Sequence, residues 1–239
     1  MVGYVAYARC LGRLVSVHED GSSEGHSLRL EQLTWSVLEG LSAAYAARGR
    51  TLPADADLWP AAMLTHDVGK LLIPSELLRR PGPLGEEERL LVQTHAVLGE
   101  ETLCLLANEF DDQEAHHFWR IATLIAGGHH ERPDGCGYPL GLSDVAVPLV
   151  LRVARLVDVY DALTSRRAYR EALLPGRALQ MMQDDIGGFE PELLHVLEAV
   201  VEERLQPRLD SQGDQMDPPE PTLSASELAR YATSVSQLK

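Results

Sequence analysis

The sequence predicts an all-α bundle. Apolar residues recur at helical spacing along most of the chain, and no alternating apolar–polar run of useful length appears. Pro and Gly punctuation, such as PGPLG at 81–85 and IGG at 186–188, divides the helical stretches.

Taken in order, Val2 to Val17 is fairly apolar but interrupted by Arg9 and Arg13. It is too short to cross a bilayer and has no charged region ahead of it as a signal peptide would, so it reads as a helix or strand packed on the domain. From Leu28 onward Leu30, Leu33, Val37, Leu38 and Leu41 define one helix face, with capping chemistry available from Ser22, Ser23 and Gly25. A short apolar helix is expected over 58–67, with Pro60 in its first turn and Gly69 at its exit, which puts His66 and Asp67 on the last turn. Further helices are expected at about 86–108, 113–127, 148–165, 175–186 and 191–205. After Leu205 the chain turns polar and Pro-rich, as a linker does, and Ser224 to Leu238 reads as a terminal helix capped by Ser224 with Glu227 three residues on.

A chain of 239 residues with 45% hydrophobic content buries one sizeable core, and with aromatics at 5% its packing falls mainly to aliphatic residues and Ala. The net charge of -15 argues against a nucleic-acid polymer as partner, because such a surface needs a basic stripe to replace phosphate counterions. A small anionic substrate stays open, since bound metal and local cations outweigh a distant average field. Cys10, Cys104 and Cys136 form neither a disulfide framework nor a zinc knuckle, so a reducing cytoplasm without membrane insertion is the simplest setting.

Two adjacent pairs carry the chemistry. His66-Asp67 stands within HDVGK, and 63 residues downstream His129-His130 opens HHERPDGCGYP. Neutral imidazole nitrogen and carboxylate oxygen suit Fe, Mn or Zn, whereas ordinary surface or core histidines need no such pairing beside helix ends. Gly127-Gly128 lets the helix carrying the second pair approach its neighbours closely. In the loop from Asp134 to Pro139, Gly135 and Gly137 are expected to supply unusual backbone angles while Tyr138 projects. His116-His117 reads as a surface pair.

With HSLR at 26–29, AAMLTHDVGK at 61–70, IPSELLRRPGPL at 73–84, THAVLGEETL at 94–103, HHERPDGCGYPLGL at 129–142 and RVARLVDVYDALTSRRAYR at 152–170, the chain resembles the HD-GYP domains of the HD phosphohydrolase superfamily. The resemblance implies an HD-GYP-type helical bundle with a metal centre in its core at 21–205; the composition of the ends adds a packing segment at 1–20 and a polar linker and terminal helix at 206–239. It places His66, Asp67, His95, His129, His130 and Asp158 around divalent ions, Fe or Mn first, with His26 joining an additional ion in some family members. Asp67 is the ligand expected to bridge.

Family members with three ions carry a glutamate where this chain has Ser22. Two ions are therefore expected, and a third completed by His26 and Glu19 is the less favoured alternative. The resemblance also implies hydrolysis of cyclic di-GMP to linear pGpG by attack of a metal-bridging hydroxide, with further cleavage to GMP left open. In that scheme Lys70 meets the scissile phosphate, and Arg167, Arg170 and Tyr138 contact substrate. Asp161 orients a neighbour rather than binding metal. Two other readings are a catalytically weak module that docks on a diguanylate cyclase or another signalling protein through the GYP loop, and a general HD nucleotide phosphohydrolase. The second leaves the HH pair and the GYP loop unexplained.

Overall fold

The computed structural model describes residues 2–20, 26–143, 146–165 and 171–211, and these contain ten α-helices and no named β-strand. The first helix, α1 (Val2–Asp20), settles the amino-terminal segment as helical. It is followed by α2 (His26–Ala46), α3 (Trp59–Ala62), α4 (Ser75–Arg79), α5 (Glu86–Gln93), α6 (His95–Ala107) and α7 (Gln113–Gly128). The series ends with α8 (Leu149–Thr164), α9 (Pro175–Asp184) and α10 (Pro191–Ser211). Ser22, the proposed caps before α2, Arg167, Arg170 and the expected helix over 224–238 lie outside the described residues.

Helix α8 is the axis of the bundle. Thirteen of its sixteen residues are buried, because α2, α7, α9 and α10 all pack on it. Leu30, Val37 and Leu41 of α2, Phe118, Trp119 and Ile125 of α7, Leu151, Leu156 and Leu163 of α8, and Leu197 of α10 belong to one continuous core. Helix α1 closes the other side, where Tyr4 meets Phe118 with ring centroids 4.6 Å apart. The carboxy-terminal end of α1 is tied to the segment after Lys70: His18 Nε2 donates to Ile73 O at 2.7 Å, and Arg79 donates to the carbonyls of Val17 (2.6 Å) and His18 (3.1 Å).

Three expected helices differ in detail: α10 runs on to Ser211, past the expected end at 205, and two others are interrupted. The run at 86–108 is interrupted at Thr94, where the backbone N–H and the hydroxyl both bond to Leu91 O, a tighter i−3 turn that competes with the α-helical ladder. The whole stretch Glu86–Ala107 is long and apolar enough to pass for a membrane span by length and composition, yet His95 at its middle is buried against α7. The helix expected over 58–67 also breaks. After α3 come a 3-10 turn at Met63–Thr65, then His66 and Asp67, then a second 3-10 turn at Val68–Leu72. Thr65 Oγ1 and the His66 ring both donate to carbonyls three residues back, which holds the chain in the tighter winding.

The HD pair therefore sits between two 3-10 turns rather than on the last turn of an α-helix. In that winding residues three apart lie one above the other, so Asp67 and Lys70 stand side by side. Gly69 serves close packing rather than a helix exit: a Cβ there would lie 2.0 Å from His95 O and 2.5 Å from Gly99 N. Gly127 and Gly128 behave as expected, with Glu100 and Leu151 occupying the space their side chains would need.

Candidate metal centre

The side chains of Asp67, His95, His129 and His130 offer ligand atoms all within 4.8 Å of one another, and His26, His66 and Asp158 form a second such group. Asp67 joins the two. Its Oδ1 faces His95 Nε2 at 3.2 Å and His129 Nε2 at 3.7 Å, while its Oδ2 faces His66 Nε2 at 3.1 Å. In the second group Asp158 Oδ1 lies 3.7 Å from His66 Nε2 and 3.8 Å from His26 Nε2. Six of the seven residues are buried, and His26 is partly so.

Backbone carbonyls orient the rings. His66 Nδ1 donates to Met63 O at 2.9 Å, His95 Nδ1 to Val92 O at 2.7 Å, and His129 Nδ1 to Ile125 O at 3.0 Å. A carbonyl only accepts, so each Nδ1 carries a proton and each ring, when neutral, presents the Nε2 lone pair to the centre. His26 is oriented in the same way by Asp161, whose Oδ2 accepts from its Nδ1 at 2.7 Å. Arg29 binds the same carboxylate through Nε (2.6 Å) and Nη2 (3.1 Å). Burial works against the Asp161 charge, yet the hydrogen bonds from His26 and Arg29 hold it well below the usual carboxylate range. Asp161 is thus the orienting residue its place on α8 predicts, and the arrangement is the one metal-binding histidines ordinarily require.

His66 Nε2, Asp67 Oδ1 and His129 Nε2 are buried without a hydrogen-bond partner. Such orphaned atoms are costly unless something fills the space between them, and three converging orphans fit a cation. Burial pushes His95 down to about 4 and His130 well below its ordinary value, so both are neutral at neutral pH. Burial also pushes His66 down, but the charge and hydrogen bond of Asp67 and the charge of Asp158 overcome this and carry it up to about 9. Asp67 is held far below the carboxylate range despite its burial, by the charges of His66 and Lys70. A donor set of five imidazoles and two carboxylates suits a borderline divalent transition metal.

Lys70 Nζ lies 2.7 Å from Asp67 Oδ2 and 2.9 Å from Glu19 Oε1. The GYP loop closes over the opposite edge. Gly135 takes a positive φ of 76°, as the loop chemistry predicts, but Gly137 does not: a Cβ there would lie 2.5 Å from Arg132 N, so it is required for space. Gly141, with φ of 65°, is the second left-handed position. Tyr138 does not project. Its ring stacks on His130 with centroids 4.5 Å apart, and the bond from Tyr138 to Pro139 is cis. His116 and His117 lie elsewhere, bonded to Ala107 O and facing Asp55 respectively.

Several residues here escape a reading by motif. Buried Glu131 accepts from the backbone of Leu140 (2.6 Å) and Leu142 (2.7 Å), pinning the loop. Arg132 is 1% exposed and forks onto Asp134 and Asp185. Arg155, one turn before Asp158, is also buried; it donates from Nε to Gly188 O while its Nη1 has no partner. The available signal for Arg155 is its place in the otherwise apolar run LVLRVARLV, where burial is forced by the neighbours.

The HD domain family model matches residues 22–193. A "Cyclic di-GMP phosphodiesterase" of Vibrio cholerae is 34% identical over 184 residues, 77% of this chain and 37% of that protein. A "3'3'-cGAMP-specific phosphodiesterase 3" of the same organism is 31% identical over 198 residues, 80% of this chain and 39% of that protein. This chain therefore spans well under half the length of these curated relatives. Among solved structures, an HDG"Y"P protein from Bdellovibrio bacteriovorus shares the fold with a TM-score of 0.58 at 18% identity, covering 83% of this chain and 63% of that one.

Proposed function

The chain belongs to the HD domain family, and from that premise we propose that it is a metal-dependent phosphodiesterase that hydrolyses cyclic di-GMP to linear pGpG. The observation that carries this reading is the convergence of His26, His66, Asp67, His95, His129, His130 and Asp158 with three orphaned ligand atoms between them. Two divalent ions, iron or manganese, would fit the two groups, and Asp67, whose oxygens face His95 and His129 on one side and His66 on the other, would help hold both. His26 would then help hold the second ion alongside His66 and Asp158, so it need not imply a third. When bound, such ions supply Lewis acidity and a water acidic enough to act as nucleophile at neutral pH.

The chain's own residues do the rest. Asp67 and the histidines fix the ions, and Lys70 presents a positive charge at the edge of the centre, where it would offset charge developing on the phosphate. Arg167 and Arg170 are proposed to grip the dinucleotide, their planar donor forks matching phosphate or the guanine edge. Tyr138 holds the His130 ring from behind and offers its remaining edge to a base. The relatives named for 3'3'-cGAMP favour a second substrate, cyclic GMP-AMP. A signalling partner such as a diguanylate cyclase would meet the loop at Pro139 and Leu140, both exposed. The three exposed cysteines fit a reducing cytoplasm.

Turnover by anaerobically purified protein tests the proposal, with cyclic di-GMP and 3'3'-cGAMP supplied separately. Asp67→Ala should abolish hydrolysis and lower bound metal while leaving helical content nearly intact. Unchanged turnover in that variant would move the chemistry elsewhere.

A further inference from the structure

We propose that Glu19 is a positioning residue that draws the Lys70 ammonium away from Asp67 and so keeps that carboxylate available to metal ions; the inference rests on the metal-centre reading above. Asp67 Oδ2 has two claims on it. It faces His66 Nε2 at 3.1 Å on the side of the second ligand group, and it accepts from Lys70 Nζ at 2.7 Å. An ammonium at that distance repels a divalent ion approaching the same oxygen, and the surroundings screen the repulsion poorly, since the Asp67 side chain is only 6% exposed and that of Lys70 14%. For the oxygen to ligate metal, the ammonium has to withdraw without leaving its charge uncompensated.

Glu19 supplies the place to withdraw to. Its Oε1 is 2.9 Å from Lys70 Nζ, and its side chain is only 18% exposed. It stands on the last turn of α1, which is clamped to the segment following Lys70 by the His18 bond to Ile73 O and the Arg79 bonds to Val17 O and His18 O. The carboxylate is therefore held in fixed register with the lysine it receives. The family match covers residues 22–193, so Glu19 on α1 lies outside it.

Lys70 makes charge-assisted contacts with both carboxylates. Loss of the Glu19 charge removes one of them and leaves the ammonium 2.7 Å from Asp67 Oδ2, which turns it into a stronger competitor of the metal. The relevant readout is metal affinity rather than turnover. The full chain, stripped of metal and kept anaerobic, is titrated with Mn2+ against a chelator as wild type, Glu19→Gln, Lys70→Met and the double variant. Glu19→Gln should weaken Mn2+ binding about tenfold, the lower end of the range for residues that support metal ligands. In the double variant, where no ammonium remains to compete, affinity should return to that of Lys70→Met.

Wild-type affinity in Glu19→Gln would overturn the inference while leaving the metal centre intact. Equally weak binding in Glu19→Gln and the double variant would also overturn it, because Glu19 would then be acting as a ligand. A wild type that binds no Mn2+ would remove the metal-centre reading and this inference with it. Glu19→Asp, which keeps the charge on a shorter arm, should retain more affinity than Glu19→Gln; the reverse order would count against a role through charge.

Discussion

Replacing Gly69 with alanine tests how the HD segment is held. The added Cβ would lie 2.0 Å from His95 O, 2.5 Å from Gly99 N and 2.9 Å from His95 C, where ordinary contact begins at 3.4 Å. All three atoms are backbone, so no side chain can swing aside, and the turn Val68–Leu72 must recede from α6 by about 1.4 Å. Asp67 immediately precedes that turn and meets His95 at 3.2 Å across the same gap, so the shift separates two members of one ligand group. Overpacking of this kind costs about 1–3 kcal/mol, and the rigid backbone puts the cost near 3. At roughly 2–4 °C per kcal/mol for a domain of this size, Tm should fall by about 6–12 °C, with Mn2+ affinity at least about tenfold weaker.

The assay is thermal unfolding of metal-free protein by circular dichroism, followed by Mn2+ titration. Gly176→Ala is the control, since nothing lies within 4 Å of its Cβ position and it should be neutral or slightly stabilising. A Gly69→Ala protein that melts with the wild type and binds Mn2+ equally well would refute the reasoning.

The buried arginines under the GYP loop should respond unequally to loss of partners. Asp185→Ala leaves Arg132 with Asp134 and removes one of the carboxylates facing Arg155, which should cost up to about 3 kcal/mol in urea unfolding. Arg155→Met removes a buried cation with an unpartnered Nη1 while Asp185 keeps both bonds to Arg132, so it should cost less than about 1.5 kcal/mol. Equal losses would contradict this assignment.

The metal-free protein should be most stable near pH 6.5. His95 is depressed to about 4, so the unfolded chain takes up its proton first and stability falls as pH drops from 6.5 through 4. His66 is raised to about 9, so its contribution is fully present below 6.5 and is lost as pH rises through 9. Urea midpoints measured from pH 4 to 10 should trace this dome, and a monotonic curve would count against it.

Much of this architecture was legible because the relevant residues declare themselves by type and local order. His66-Asp67 and His129-His130 are ligand types set side by side, Pro and Gly mark most helix limits, and Asp161 follows Asp158 by one helical turn. What escaped depends on long-range packing or on small energy differences. Helical periodicity does not separate an α-turn from a 3-10 turn, so the winding around Asp67 and its pairing with Lys70 were not visible. Gly69 and Gly137 resemble ordinary helix-end and loop glycines until the opposing backbone is present. Arginine is seldom buried, so Arg132 and Arg155 give little sign of being core residues. The bond from Lys70 to Glu19 spans 51 residues, and that from Arg29 to Asp161 spans 132. No local pattern encodes either.

The most direct test of the central claim is an anomalous-diffraction map of anaerobically grown crystals loaded with Mn2+. The account predicts two peaks per chain, one among Asp67, His95, His129 and His130 and the other among His26, His66 and Asp158, with Asp67 touching both. Peaks confined to other parts of the surface, or these seven side chains closed on one another around no metal, would contradict it.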